Sequence, residues 1–244
     1  ESQIAEEDIP RLEALLEQVT RAQESLDGAI GKAEQAKETF FEDERQELAQ
    51  HAQDAAAYRK QMLDLSSQLI GYDVAAMTSA LSLERAWTLI VDADADMRSA
   101  VEVVAENGTR SVAESRDYNQ SALDKFALAQ EALTAATDAF ANVETKALSD
   151  YLSAKTASAE LALASDQAFL DGDRATATAK NKEFVTKDAE AVELAAAFPT
   201  EPLNLVVAAY EEATKQIRED YKIVRSQAAD VDVYLRAYLG VSVQ

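Results

Sequence analysis

The residues whose types and spacing best suggest chemistry in this chain are aspartates. Asp166, Asp171 and Asp173 surround Gly172 in DQAFLDGDRATATAK, and Asp92, Asp94 and Asp96 alternate in VDADADM. Closely spaced carboxylates near a glycine are the raw material of a calcium loop. Such a loop needs oxygen ligands at fixed offsets, a glycine at the sharp turn and a bidentate glutamate at its end. Neither cluster meets that pattern. In VDADADM the glycine offset holds Met97 and the glutamate offset holds Val103; aligning on Gly172 instead puts Gln167, Phe169 and Thr178 at ligand offsets. Helix-boundary chemistry explains LDGDRA residue by residue. Gly172 suits the left-handed position that ends one helix, and Asp173 suits the N-cap of the next, its carboxylate accepting from orphan backbone N–H groups.

Other reactive constellations are missing. His51, in ELAQHAQDA, is the only histidine, so a Glu-x-x-His metal pair on facing helices has no second member. Nucleophilic catalysis with a histidine base would also rest on this residue, which is read as an exposed helical histidine. The chain has no cysteine, which removes thiol catalysis, thiolate metal sites and disulfides. No Gly-x-Ser-x-Gly, P-loop or dinucleotide fingerprint occurs. The chain is therefore read as non-enzymatic, with no cofactor and no metal.

Binding remains. In so acidic a chain an arginine facing a bundle interior is a natural carboxylate clamp. Trp87, in LSLERAWTLIV, can form a cavity wall, although core or rim packing is the commoner fate of such an aromatic. Candidate ligand-binding residues are Arg21, Arg116 and Arg225, with Trp87 as the wall; most other arginines read as surface partners of nearby acids, as in EDER around Arg45.

The elements that must position these residues are helices. The 244 residues include 6 glycines and 3 prolines, with strong helix formers dominating, so the expected fold is all-α. With 48% hydrophobic residues the chain can bury a sizeable core in one elongated domain or two modest ones. Its 45 acidic and 23 basic residues give a formal charge of −22, which repels phosphate backbones and excludes nucleic acid as a natural partner. No stretch approaches the roughly 18 apolar residues of a membrane-spanning helix.

Breakers at Gly28, Gly31, Gly71, Gly108, Gly172, Pro199 and Pro202 divide the chain into about six helices, expected at roughly 5–27, 31–70, 73–107, 109–171, 174–198 and 202–239. In the last, Leu203, Val206, Tyr210, Ala213, Ile217, Tyr221, Val224, Ala228, Val231, Leu235 and Tyr238 keep a 3-4 spacing with one 4-4 step, Ile217 to Tyr221. That is a bundle seam with a local stutter. Helices of such unequal length suggest one elongated domain, 1–244, of two stacked four-helix bundles sharing the long helices. One module would lie near both termini and the other mid-chain.

LALASDQAFLDGDRATATAKNKEF resembles a pattern in the helical bimodular sensor domains of bacterial chemoreceptors and in the sensor region of the trimethylamine-oxide histidine kinase. There a helix with small residues and an aromatic precedes a Gly-Asp turn and an alanine-rich helix. The matching positions here are Phe169, Leu170, Gly172, Asp173, Ala175 and Ala177. The resemblance implies a periplasmic ligand-binding region held between two transmembrane segments outside this sequence, homodimeric when bound. Its partner would be a small molecule, such as an organic acid or other metabolite, or a periplasmic binding protein. Organic-acid members present arginines from the first and last long helices, where this chain offers only Arg11 and Arg21 early and Arg218 and Arg225 late. Uncharged, cationic and protein ligands therefore stand beside acids, and all-helical nitrate sensors are similar in size and class. The competing expectation is a structural or adaptor bundle that binds a protein along its acidic face and has no small-molecule site.

Overall fold

Long runs of alanine, glutamate, leucine and lysine lose little side-chain entropy in a helix, so only local capping or tertiary packing ends one. The computed structural model describes residues 7–196 and 201–240, and there the chain is all-α, without a strand. The helices are α1 (Asp8–Thr39), α2 (Asp43–Asn107), α3 (Val112–Ala139), α4 (Lys146–Leu170), α5 (Arg174–Ala195) and α6 (Leu203–Tyr238), with a 3₁₀ turn at Gly108–Ser111. Among the described residues no helix is long and apolar enough to cross a membrane.

Of the five expected boundaries three hold and two fail. Gly108 and Gly172 follow the ends of α2 and α4 with φ of 69° and 85°, the left-handed conformation that costs glycine nothing. At Gly172 the turn is a Schellman motif. Asp173 N–H donates to the Ala168 carbonyl at 2.8 Å and Gly172 N–H to that of Phe169 at 3.1 Å, satisfying carbonyls that α4 leaves open. Asp173 then caps α5, its Oδ1 accepting from the Thr176 N–H at 3.0 Å and its Oδ2 from the Thr176 hydroxyl at 2.6 Å. These bonds hold the Asp173 carboxyl below the usual range. The start of α6 also falls where expected; Pro199 and the end of the expected helix 174–198 lie outside the described residues, as does residue 5.

The breaks expected at Gly28, Gly31 and Gly71 do not occur: α1 runs through the first two and α2 through the third. An interior glycine costs a helix only about 1 kcal/mol relative to alanine, which neighbouring helix formers offset. The two unexpected interruptions carry neither glycine nor proline. Phe40 turns extended at the end of α1 (φ −84°, ψ 132°), and Phe140 does the same after α3 (φ −144°, ψ 91°). The expected helix 109–171 is therefore two helices joined by a loop in which Phe140, Val143 and Thr145 are buried. Apolar Phe140 and Val143 continue the helical period in the sequence, but tertiary burial holds them in a reversal instead.

The chain forms two compact units, Glu1–Ala75 with Tyr210–Gln244 and Ala76–Ala209. The described first unit consists of α1, the N-terminal part of α2 and most of α6. The second contains the rest of α2, then α3, α4, α5 and the first turns of α6. Within the second, α4 packs against both α3 and α5. Its α2 segment buries Leu83, Ala86, Ile90, Ala93, Met97 and Ala100, a 3-4 repeat of alternating large and small side chains that permits left-handed packing. From α3, Ala122, Phe126, Ala129, Leu133 and Ala136 are buried in the same rhythm.

Two classes of glycine thus respond oppositely to alanine. At Gly71 nothing lies within 4 Å of an added Cβ, so Gly71→Ala should stabilise by about 0.5–1 kcal/mol. Gly172→Ala meets equally open space but a φ of +85°, and should destabilise by about 1–2 kcal/mol. Urea unfolding midpoints of the two variants check the pair.

Candidate functional site

Helical spacing places Ala22, Ser25 and Leu26 on one face of α1 and Arg59, Met62, Leu63 and Ser66 on one face of α2. Tyr221 of α6 closes the set, and together these side chains line a groove of about 490 Å³ within the first unit. Its origin is steric: alanine and serine at contact positions leave space that leucine would fill. The size falls within the roughly 300–1,000 Å³ of small-molecule sites. The lining is mostly apolar, with a guanidinium, a phenol and two hydroxyls as polar handles.

Arg59 is held from two sides. Its Nη1 donates to the Ala55 carbonyl at 3.0 Å and its Nη2 to Asp232 Oδ1 of α6 at 2.6 Å. The side chain remains 44% exposed, so the guanidinium keeps donors free for a ligand, which must share the cation with Asp232. Around the groove, Gln23 Nε2 donates to Asp64 Oδ1 at 2.7 Å and Lys60 pairs with Asp27, tying α1 to α2. The hydrogen bond that Lys60 donates to Asp27 raises its ammonium above the ordinary value.

His51 departs from the expected exposed helical residue. Its ring lies 3.8 Å from that of Tyr234, centroid to centroid, and its side chain is 28% exposed with Nε2 3.8 Å from Glu47. The reason is tertiary: α6 lays Tyr234 over this turn of α2. Burial, followed by the Glu47 carboxylate that accepts its hydroxyl, raises the Tyr234 phenol.

The four residues singled out from sequence do not form one constellation. Arg21 sits in the first unit, 73% exposed and paired with Glu17 at 3.3 Å one helical turn away. Arg225 is in the same unit, exposed on α6. In the second unit Arg116 pairs with its neighbour Asp117 at 2.7 Å, and Trp87 is half-buried on α2. None lines the groove; Arg59, Met62 and Tyr221 do. A local signal marks Arg59, because alanine, methionine and leucine occupy the positions three and four residues to either side, leaving it no acid on its own helix.

The strongest electrostatic cluster lies in the second unit. Lys155 of α4 is 9% exposed, with Nζ 3.0 Å from Asp94 Oδ1 of α2 and 2.9 Å from Asp188 Oδ1 of α5. Tyr151 donates to Asp94 Oδ2 at 2.5 Å. Burial pulls the ammonium down, but the two carboxylates more than offset this and leave it raised. Burial and the bond to Asp94 raise the Tyr151 phenol as well. A lysine held protonated is neither a nucleophile nor a base, so the cluster is a clamp between helices.

Nearby, Asp96 accepts from Lys125 at 2.7 Å. Two carboxylates of VDADADM are thus counter-ions of lysines on neighbouring helices. Asp166, in the opening motif, accepts from Ser115 Oγ and Asn119 Nδ2, both at 2.8 Å; burial raises its carboxyl against the pull of those two donors. Among the described residues no group of three His, Asp or Glu side chains is arranged to hold a metal ion.

Removing Lys155 strands two carboxylates, and breaking a buried pair costs about 3–5 kcal/mol. Lys155→Met should lose that much in urea unfolding, and Lys155→Met with Asp94→Asn and Asp188→Asn should regain most of it. Because the folded ammonium is raised above 10.5, its contribution is complete below pH 10.5 and is lost as pH rises through the higher folded value. The wild type should therefore lose stability at alkaline pH more steeply than the triple variant. Comparison with protein-family models, with curated proteins and with solved structures finds no match for this chain.

Proposed function

We propose that this chain is the extracytoplasmic, ligand-binding part of a bacterial transmembrane chemoreceptor or sensor kinase, non-enzymatic and homodimeric when bound. The observation that carries the reading is the groove of the first unit, where Arg59 and Tyr221 from two helices reach one small-molecule-sized space. The apolar lining favours a small metabolite with a hydrocarbon body and one polar end. An organic acid would place its carboxylate on Arg59 beside Asp232, whereas an uncharged molecule would use Tyr221 and the serines. The finer architecture in this reading is a pair of stacked bundles that share long helices, the first with three described helices where four were expected. Its support is that α2 and α6 each contribute residues to both units.

Tyr221 is also the end of the 4-4 step that interrupts the α6 seam. A ligand beneath it would favour one of two packings of α6 on α1 and α2, and a small piston or rotation would pass to a membrane segment beyond this sequence. The shift available equals the ligand's differential affinity for those packings.

A thermal-shift screen over organic acids, amino acids, amines and nitrate tests this. A ligand at 100 times its Kd should add about 2.7 kcal/mol. Ser66→Trp, which fills the groove, should abolish the shift, while Arg59→Gln should abolish it for acids and spare uncharged ligands. A shift that survives Ser66→Trp would remove the groove from the proposal. If no compound in any class shifts the wild type, the adaptor bundle without a small-molecule site becomes the better reading.

A further inference from the structure

Among the described residues that line the groove of the first unit, Arg59 alone is charged. Its cation is already balanced. Asp232 Oδ1 lies 2.6 Å from Nη2, and Lys60, the next residue of α2, is taken by Asp27 of α1. A carboxylate that enters the groove therefore finds no spare positive charge. It adds an anion to a neutral pair in a chain that carries −22, and it competes with Asp232 for the same guanidinium. An amine meets the converse obstacle, because Asp232 can neutralise it only by releasing Arg59.

A ligand that brings both charges meets neither obstacle. Arg59 has five N–H donors; one on Nη1 goes to the Ala55 carbonyl and one on Nη2 to Asp232 Oδ1, while Asp232 Oδ2 accepts from no described residue. Both side chains are open to approach, Arg59 at 44% and Asp232 at 32% exposure. In an α-amino acid the carboxylate and the ammonium stand on one carbon, so they can meet a guanidinium and a carboxylate that are themselves in contact. Four charges then alternate in sign, each bond is charge-assisted, and the site gains no net charge. The rest of the ligand faces Leu26, Met62 and Leu63, the large aliphatic members of the lining.

We propose that the groove binds a free α-amino acid with an aliphatic side chain, its carboxylate on Arg59, its ammonium on Asp232 and its hydrocarbon against Leu26, Met62 and Leu63. This rests on the groove being the ligand site of the proposed function and adds the class of ligand. Asp232, which lies outside the apolar lining, becomes the residue that separates amino acids from plain acids.

Isothermal titration of the whole chain with leucine, and with relatives that each lack one of its parts, reads the assignment. Leucine should bind. Isocaproate, which lacks the ammonium, isoamylamine, which lacks the carboxylate, and glycine, which lacks the hydrocarbon, should each bind about tenfold more weakly or worse. Asp232→Asn should weaken leucine and strengthen isocaproate, whose carboxylate then has Arg59 to itself. Arg59→Gln should also weaken leucine but strengthen isoamylamine, which then has Asp232 to itself. Loss of structure cannot produce this reciprocal gain; circular dichroism verifies folding, and the relatives measured on the wild type carry the test if a variant unfolds. Isocaproate binding the wild type as tightly as leucine overturns the ammonium subsite. If leucine, valine and norleucine all fail to bind while another compound binds and Ser66→Trp abolishes it, the amino-acid class falls and the groove stands. Leucine binding that survives Ser66→Trp, or no binding by any compound, overturns both.

Discussion

A single buried ammonium fixes the arrangement of three helices. Lys155 projects from α4 between Asp94 of α2 and Asp188 of α5, so each helix surrenders a charge to the same point. Apolar packing alone tolerates sliding, since alanine meets alanine equally well one turn along the seam. An ion pair in a low-dielectric interior does not tolerate it, because displacing any one helix strands a buried charge. Asp166 with Ser115 and Asn119 does similar work between α3 and α4. The neutral, repetitive seams supply the hydrophobic stabilisation, and the sparse polar contacts specify the register.

The two units divide labour along the same physical line. In the second, Leu83, Ile90, Phe126, Leu133 and Leu152 are all essentially inaccessible. In the first, the described buried residues are Val19, Ile70, Thr214 and four alanines, Ala49, Ala55, Ala56 and Ala228. A core built largely from alanine buries little area per residue and leaves the helix contacts to surface ion pairs such as Lys60–Asp27, which contribute little each. Local opening is least costly where few apolar contacts oppose it. Space for a ligand and freedom to repack around it therefore coincide in the unit that contains the groove.

Class was legible from the sequence because helix formers dominate and apolar residues recur at 3-4 spacing, most clearly in α6. Helix boundaries were legible only where backbone geometry depends on one residue. Gly108 and Gly172 stop helices because they adopt positive φ; Gly28, Gly31 and Gly71 look the same in the sequence but sit in regular helix at modest cost. The loop after α3 left no local trace at all, since Phe140 and Val143 are placed by what they bury against rather than by their own preferences. His51 was misjudged for the same reason: its cover, Tyr234, lies far along the chain.

The arginines show where site reading from sequence succeeds and where it stops. An acid three or four residues away, as Glu17 is from Arg21, supplies an exposed partner on the same helix and predicts a solvated pair. Arg59, Arg85, Arg116, Arg218 and Arg225 have no such acid, and of these Arg116 pairs with the adjacent Asp117. Arg59 finds a tertiary partner in Asp232, and Arg218 lies over the Tyr210 ring of its own helix at 5.3 Å; Arg85 and Arg225 remain exposed. Lack of a local partner therefore selects candidates without choosing among them. The choice belongs to the rotation of each helix about its own axis, which the packing of its neighbours sets. In the first unit that packing is set mainly by small residues, whose short side chains bring the helices together at some levels and leave them apart at the level of Arg59.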